Sequence, residues 1–200
     1  MPRGYVKVAF SGTHGAGKTV AVERAAEAAR AAGLKVAVGP EVARGCPFPV
    51  NEEGTGSAQT WIMASQIAQE VVLEESGAQL VLLDRCVFDH VAYSRWLHKR
   101  GRMTAEELSF VESAALQWAA ARPYTAIVFM QPAKPPEDDG FRSTNADFQR
   151  EVHAILQCIY MELDIKKTVR LFVQTGSELE LNMILSAIVK EVTAFKPTHI

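Results

Sequence analysis

The chain has 200 residues with 21 Lys and Arg against 23 Asp and Glu, a net charge of −2, and 48% apolar against 22% charged residues. That length suits one α/β unit with a sizeable core, and the near-neutral balance supplies no basic field for duplex nucleic acid, which argues against a nucleic-acid partner. Cys46, Cys86 and Cys158 are too far apart for a zinc or dithiol pair, the opening Met1 to Tyr5 does not read as a signal peptide, and no apolar run approaches the ~18 residues of a membrane span, so a cytoplasmic protein without membrane attachment is expected.

Residues 5–11 are β-rich and alternate, which predicts a first strand. Residues 12–17 form a Gly-rich turn, and the Ala-rich run 18–32 predicts a helix that Gly33 stops. A short strand is expected over 35–38, then a loop over 39–56 punctuated by Pro40, Pro47 and Pro49. Residues 57–76 predict an amphipathic helix: Trp61, Ser65, Ala68 and Val72 share one face, while Gln59, Met63, Gln66 and Glu70 make a second stripe. Residues 80–83 predict a buried strand ending at Asp84, followed by a helix over 85–100.

Thr104 with Glu107 makes a capping-box signature for a helix that runs to Arg122 and Pro123. A strand is expected over 125–130, a Pro-rich and acidic surface loop over 131–143, a helix over 145–164, a strand over 168–173 and a last helix over 178–194. Strands and helices alternate, without internal repeat or linker. The pattern predicts a three-layer α/β fold, a mostly parallel five-stranded sheet with helices on both faces, in one domain over 1–200 with a short lid near 131–150.

Gly12-Thr13-His14-Gly15-Ala16-Gly17-Lys18-Thr19 matches GxxxxGK[ST] between a strand and a helix, as a phosphate-binding loop requires. Glycines let phosphates approach the backbone, the turn aims N–H groups inward, and the helix adds its positive end. Gly12, His14, Gly15, Ala16, Gly17, Lys18, Thr19 and Val20 are therefore expected to cradle ATP, with Lys18 on the β- and γ-phosphates. Asp84, at the end of an apolar strand, and the Thr19 hydroxyl are expected to hold Mg²⁺. Gly176, after the last strand, is placed beside the nucleotide base.

From these pieces onward the chain resembles the deoxynucleoside kinases and, more distantly, the thymidylate kinases. Pro40-Glu41-Val42-Ala43-Arg44 is similar to that family's Pro-Glu-Pro-Val-Ala-Arg, Gln59-Thr60-Trp61 to its Gln-Thr-Tyr, and Asp84-Arg85-Cys86 to its Asp/Glu-Arg-Ser. The resemblance implies that Glu41 is the general base on a sugar hydroxyl, that Gln59 hydrogen-bonds the base, and that Arg85 steadies the reacting phosphate. Arg44 is a further substrate contact. The lid position implies a closing arginine, for which Arg142, beside Gly140, is preferred over Arg150.

The chain departs from that pattern in three places. Gln66 stands where the family has an arginine, the family's aspartate on the next helix falls in register with His90 with Asp89 just before it, and Cys86 replaces the serine. Gln66 and Asp89 are taken as substrate contacts, and the identity of the substrate is not inherited. The expected activity is transfer of the ATP γ-phosphate to a nucleoside or nucleoside monophosphate. A kinase of another small metabolite or polynucleotide end, and a regulatory P-loop ATPase, stand as alternatives. No Asn/Thr-Lys-x-Asp motif of a GTPase occurs, and the helix from Thr104 offers a surface for a homodimer.

Overall fold

The computed structural model describes residues 4–132, 140–141, 143–163, 169–175 and 177–194. Five strands form one sheet: β1 (Val6–Ser11), β2 (Val36–Gly39), β3 (Leu80–Asp84), β4 (Tyr124–Met130) and β5 (Val169–Thr175). Their order is β2-β3-β1-β4-β5 and every pairing is parallel, with Phe10 opposite Asp84 and Val8 opposite Ala126. Among the described residues six helices surround it: α1 (Lys18–Ala31), α2 (Gly56–Glu74), α3 (Val87–Lys99), α4 (Ala105–Ala121), α5 (Ala146–Glu162) and α6 (Glu178–Ala194). Single 3₁₀ turns at Val42–Gly45 and Asn51–Glu53 interrupt the loop after β2. Among the described residues no helix is long and apolar enough to cross a membrane.

The strand period of two divides the core. Val6, Val8, Phe10, Leu80, Leu82, Ala126 and Val128 face α1 and α6, whereas Ala9, Val81, Leu83, Ile127 and Phe129 face the helices α2 to α5. Near-continuous apolar runs in β1, β3 and β4 follow from this two-sided cover. The three layers and five parallel strands are those the alternation of elements predicts.

Two local differences from the sequence reading have physical causes. The helix expected from Arg85 starts at Val87, because Arg85 adopts a left-handed φ of 91° and Cys86 is extended as its N-cap. On α2 the buried side is the polar stripe: Gln59, Met63, Gln66 and Glu70 are buried, whereas Ala68 and Val72 are exposed. Burying polar groups is tolerable only when each finds a partner, and here most do.

That partnership starts at Lys7, which the parity of β1 sends into the α2–α5 side. Its Nζ donates to Glu70 Oε2 (3.0 Å), Glu74 Oε1 (2.7 Å) and the Arg122 carbonyl (2.8 Å), and all three charged side chains of the Lys7, Glu70 and Glu74 cluster are essentially inaccessible. Trp118 Nε1 and Tyr124 Oη also donate to Glu70, at 2.8 Å each. Removing one partner of such a cluster strands a buried charge. Lys7→Met is therefore expected to cost about 3–5 kcal/mol, read as a lower urea midpoint with an unchanged m-value.

Candidate active site

The carboxyl ends of β1, β2 and β3 converge where the strand order reverses around β1, the edge at which open α/β sheets bind ligands. The loop over residues 12–19 leaves β1 there. Gly12, Gly15 and Gly17 all have positive φ (150°, 72° and 79°), and a Cβ on Gly12 would lie 2.7 Å from the Met130 carbonyl oxygen. Only glycine permits this path. The loop is fastened from outside: Gly12 N donates to Asp89 Oδ1 (2.9 Å), His14 N to Tyr93 Oη (3.1 Å), and Gln149 Nε2 to the His14 carbonyl (2.9 Å). The His14 ring stacks on Phe148, with centroids 5.0 Å apart.

Lys18, in the first turn of α1, folds back to donate to the Thr13 carbonyl (2.8 Å) and is 4% exposed. Burial, then the neighbouring Arg85 guanidinium, lower its ammonium to about 8 against the pull of Asp84, Glu41 and Asp89. Val20, one turn into α1, is exposed. Thr19 Oγ1 donates to Asp84 Oδ2 at 2.6 Å, while the other oxygen, Asp84 Oδ1, is buried without a partner among the described residues. A hydroxyl beside a carboxylate oxygen with nothing to accept fits a small hard cation such as Mg²⁺ bound together with a nucleotide's phosphates. Ammonium, inward-facing loop and helix start fit the phosphates themselves.

Arg85 is the centre of a second cluster beside the phosphate loop. Its Nε donates to Glu41 Oε1 (2.7 Å), its Nη2 lies 2.6 Å from the same oxygen, and its Nη1 donates to the Gly12 carbonyl (3.2 Å). Asp89 Oδ1 is 3.6 Å away, and the guanidinium carbon sits 5.2 Å from the Tyr93 ring centroid. Burial lowers the guanidinium pKa, but Glu41 foremost, then Tyr93, Asp89 and Asp84, hold it well above the ordinary value. Arg44 reaches Glu41 Oε2 at 3.5 Å and lies over the Phe141 ring at 4.8 Å.

A partly open cleft adjoins these groups. Glu41, Arg85, His14, Gln59, His90 and Tyr93 line it, with Asn51 and Phe141 at one side. Asn51 Nδ2 donates to the Phe141 carbonyl (2.7 Å) and Ser143 Oγ to Glu52 Oε1 (2.6 Å), so the segment before α5 is held against the Asn51–Glu53 turn. Gln59 Oε1 is buried and without a partner among the described residues.

The structure thus brings together Lys18, Thr19, Asp84, Glu41, Arg85, Arg44 and Gln59, and moves two expected contacts away from the cleft. Gln66 is fully buried behind it, donating to Glu70 Oε1 (2.9 Å) and to the Arg85 carbonyl (3.5 Å). Asp89 is also fully buried and spent on the backbone of Gly12 and Cys86 (2.9 Å each) and on the Cys86 thiol (3.2 Å). His90, not Asp89, faces the cleft. Burial pushes its imidazole down to about 4, so it is neutral at pH 7. Cys86 is held between Asp89 and Tyr160 Oη (3.4 Å), with burial raising its thiol pKa. Arg142 and Gly176 lie outside the described residues. Asn51, Phe141 and Gln149 were invisible in the sequence because no local motif marks them.

The family model described as an AAA domain matches residues 7–173. No curated protein matches the sequence. Among solved structures, a NadR protein in complex with NR has a TM-score of 0.74 at 20% identity, covering 98% of this chain and 54% of that one. NadR in complex with NAD and AMP-PNP gives 0.68 at 18%, covering 98% and 51%. A deoxyadenosine kinase from M. mycoides with dCMP and a flexible dCDP gives 0.66 at 12%, covering 95% and 100%. The chain therefore spans about half the length of the NadR structures, and the likeness is one of fold.

The depressed Lys18 ammonium makes phosphate binding pH-dependent with a defined sign. A triphosphate beside Lys18 favours its charged form, so above about pH 8 binding must take up a proton. ATP affinity is expected to be flat below about pH 8 and to fall above it, by up to about tenfold per pH unit. Calorimetry in buffers of different ionisation enthalpy checks the proton uptake, and Lys18→Ala should lose both the affinity and the slope.

Proposed function

The chain belongs to the AAA domain family, and we propose that it is a kinase that moves the γ-phosphoryl group of ATP to a hydroxyl of a nucleoside or nucleotide held in the cleft beside Glu41. The observation that carries this reading is the Glu41–Arg85 pair, buried between the phosphate loop and the cleft. A simple hydrolytic switch has no need of a carboxylate, a neutral amide and an imidazole lining a cleft beside the phosphate loop. The ligands of the related folds, NR in one and dCMP or dCTP in another, belong to the same chemical class.

Phosphoryl transfer asks for positioning and neutralised charge more than for covalent help. The loop amides and Lys18 hold the phosphates, and Thr19 with Asp84 would hold Mg²⁺, which supplies charge neutralisation on the phosphate oxygens when bound. Arg85 carries a permanent positive charge where the γ-phosphate meets the acceptor. Arg85 holds Oε1 of Glu41 through two nitrogens and Arg44 lies 3.5 Å from Oε2, so the carboxylate that would accept the hydroxyl proton is fixed in place. The acceptor oxygen bonds to the γ-phosphorus, the bond to the β–γ bridging oxygen breaks, the hydroxyl proton passes to Glu41, and ADP leaves.

The test is ADP release with ATP·Mg²⁺ against a panel of nucleosides and their 5′-monophosphates. Release that depends on one of them supports the reading, and ATP binding with no stimulation by any points to a regulatory ATPase. With the acceptor in hand, Glu41→Gln should lower turnover by about 10²-fold or more while ATP affinity is retained. Unchanged turnover would remove the base from Glu41.

A further inference from the structure

A buried chain of hydrogen bonds ends at one wall of the cleft, and its direction is fixed at the far end. Glu70 Oε2 accepts from Lys7 Nζ (3.0 Å) and Trp118 Nε1 (2.8 Å), groups that have only protons to give. Its Oε1 accepts from Tyr124 Oη (2.8 Å) and Gln66 Nε2 (2.9 Å). A carboxylate so placed accepts from every side, so the Gln66 amide must turn its NH₂ toward Glu70. Gln66 Nε2 also points its second proton at the Arg85 carbonyl (3.5 Å), which holds the same orientation.

Gln66 Oε1 is then left 3.4 Å from His90 Nε2. An amide oxygen takes only a donor, so the ring proton resides on Nε2. The neutral ring has one proton, and Nδ1 keeps its lone pair with no hydrogen bond among the described residues. His90 lines the cleft, as does Gln59, whose Oε1 is a second acceptor without a partner.

We propose that the Lys7–Glu70–Gln66 chain locks His90 as a hydrogen-bond acceptor, so that the cleft selects a nucleoside whose base turns an exocyclic amine toward it over one that turns a carbonyl there. This rests on the cleft being the acceptor site of the kinase. Gln66 is a positioning residue in this scheme, acting on the substrate only through the tautomer of His90. A carbonyl against the His90 lone pair would bury two acceptors face to face and leave both unsatisfied.

Two measurements test this, and neither needs phosphoryl transfer. The first is a long-range ¹H–¹⁵N spectrum of the histidine side chains of the full chain near pH 7, with the His90 signals assigned by their absence in His90→Gln. Protonation on Nε2 is expected in the wild type and a mixture of tautomers in Gln66→Met, which keeps the volume and removes the amide. An Nδ1-protonated ring in the wild type overturns the proposal. The second is calorimetric binding of two matched pairs, cytidine with uridine and adenosine with inosine.

The amino member of at least one pair should bind at least about tenfold more tightly to the wild type, and Gln66→Met should reduce that ratio to within about threefold, because its ring offers either face. Equal binding of both members, binding of neither, or a ratio that Gln66→Met leaves intact overturns the proposal. Selective binding without any ADP release in the presence of ATP·Mg²⁺ would instead sink the kinase reading and leave the recognition by His90 standing.

Discussion

Arg85 is a permanent positive charge with almost no access to water, and the arrangement of the cleft follows from the need to surround it. The acceptors come from three separate elements: Glu41 after β2, the Gly12 carbonyl in the phosphate loop, and Asp89 in α3. One guanidinium thereby ties the loop after β2 and the phosphate loop to the start of α3. Its left-handed backbone is the local cost, of the order of 1–3 kcal/mol for a residue other than glycine. That strain turns the side chain inward from the end of β3, directly after Asp84, so that the carboxylate beside Thr19 and the cation beside Glu41 are consecutive residues.

Asp89 shows how this centre is kept rigid. Its two oxygens are divided between the Gly12 amide on one side and the Cys86 amide and thiol on the other, with Arg85 close by. The thiol is a weak donor, yet it is boxed in: Cys86 also meets Tyr160 Oη, which donates to Ser11 Oγ (2.6 Å) at the end of β1. A carboxylate so fully committed has nothing left for a substrate. The neighbouring position, one step around the helix, inherits the cleft, and it is occupied by a neutral imidazole.

The phosphate loop was readable from the sequence because its physics is local: glycines, a lysine and a helix start within eight residues suffice to specify it. The parallel five-stranded sheet covered on both faces was equally legible, since near-continuous apolar runs alternating with helical segments have few ways to pack, whereas the order of the strands was not. Of the cleft beside the loop, only Glu41, Gln59 and Arg85 were marked in the sequence, each by a short motif. Gln66 and Asp89 looked like substrate contacts by position. Both are consumed by partners that lie far off in sequence, Glu70 backed by Lys7 for the first and the Gly12 backbone for the second. Periodicity on α2 gave two stripes without saying which is buried, because a helix that buries a polar network carries its amides where an ordinary one carries leucines.

The groups that line the cleft differ in kind. Arg85 and Glu41 bring charge to the cleft, with Lys18 and Asp84 in the adjoining phosphate loop region, while His90 and Gln59, which also line it, are neutral at pH 7. An apolar replacement of the Lys7, Glu70 and Gln66 cluster would fold as well or better, since buried ion pairs barely repay their desolvation. What such a core could not supply is direction. A lysine can only donate and a carboxylate flanked by donors can only accept, so the sense of every bond down to His90 is decided at Lys7, on the first strand and away from the cleft. The neutral wall of the cleft therefore carries a definite polarity although no charge touches it.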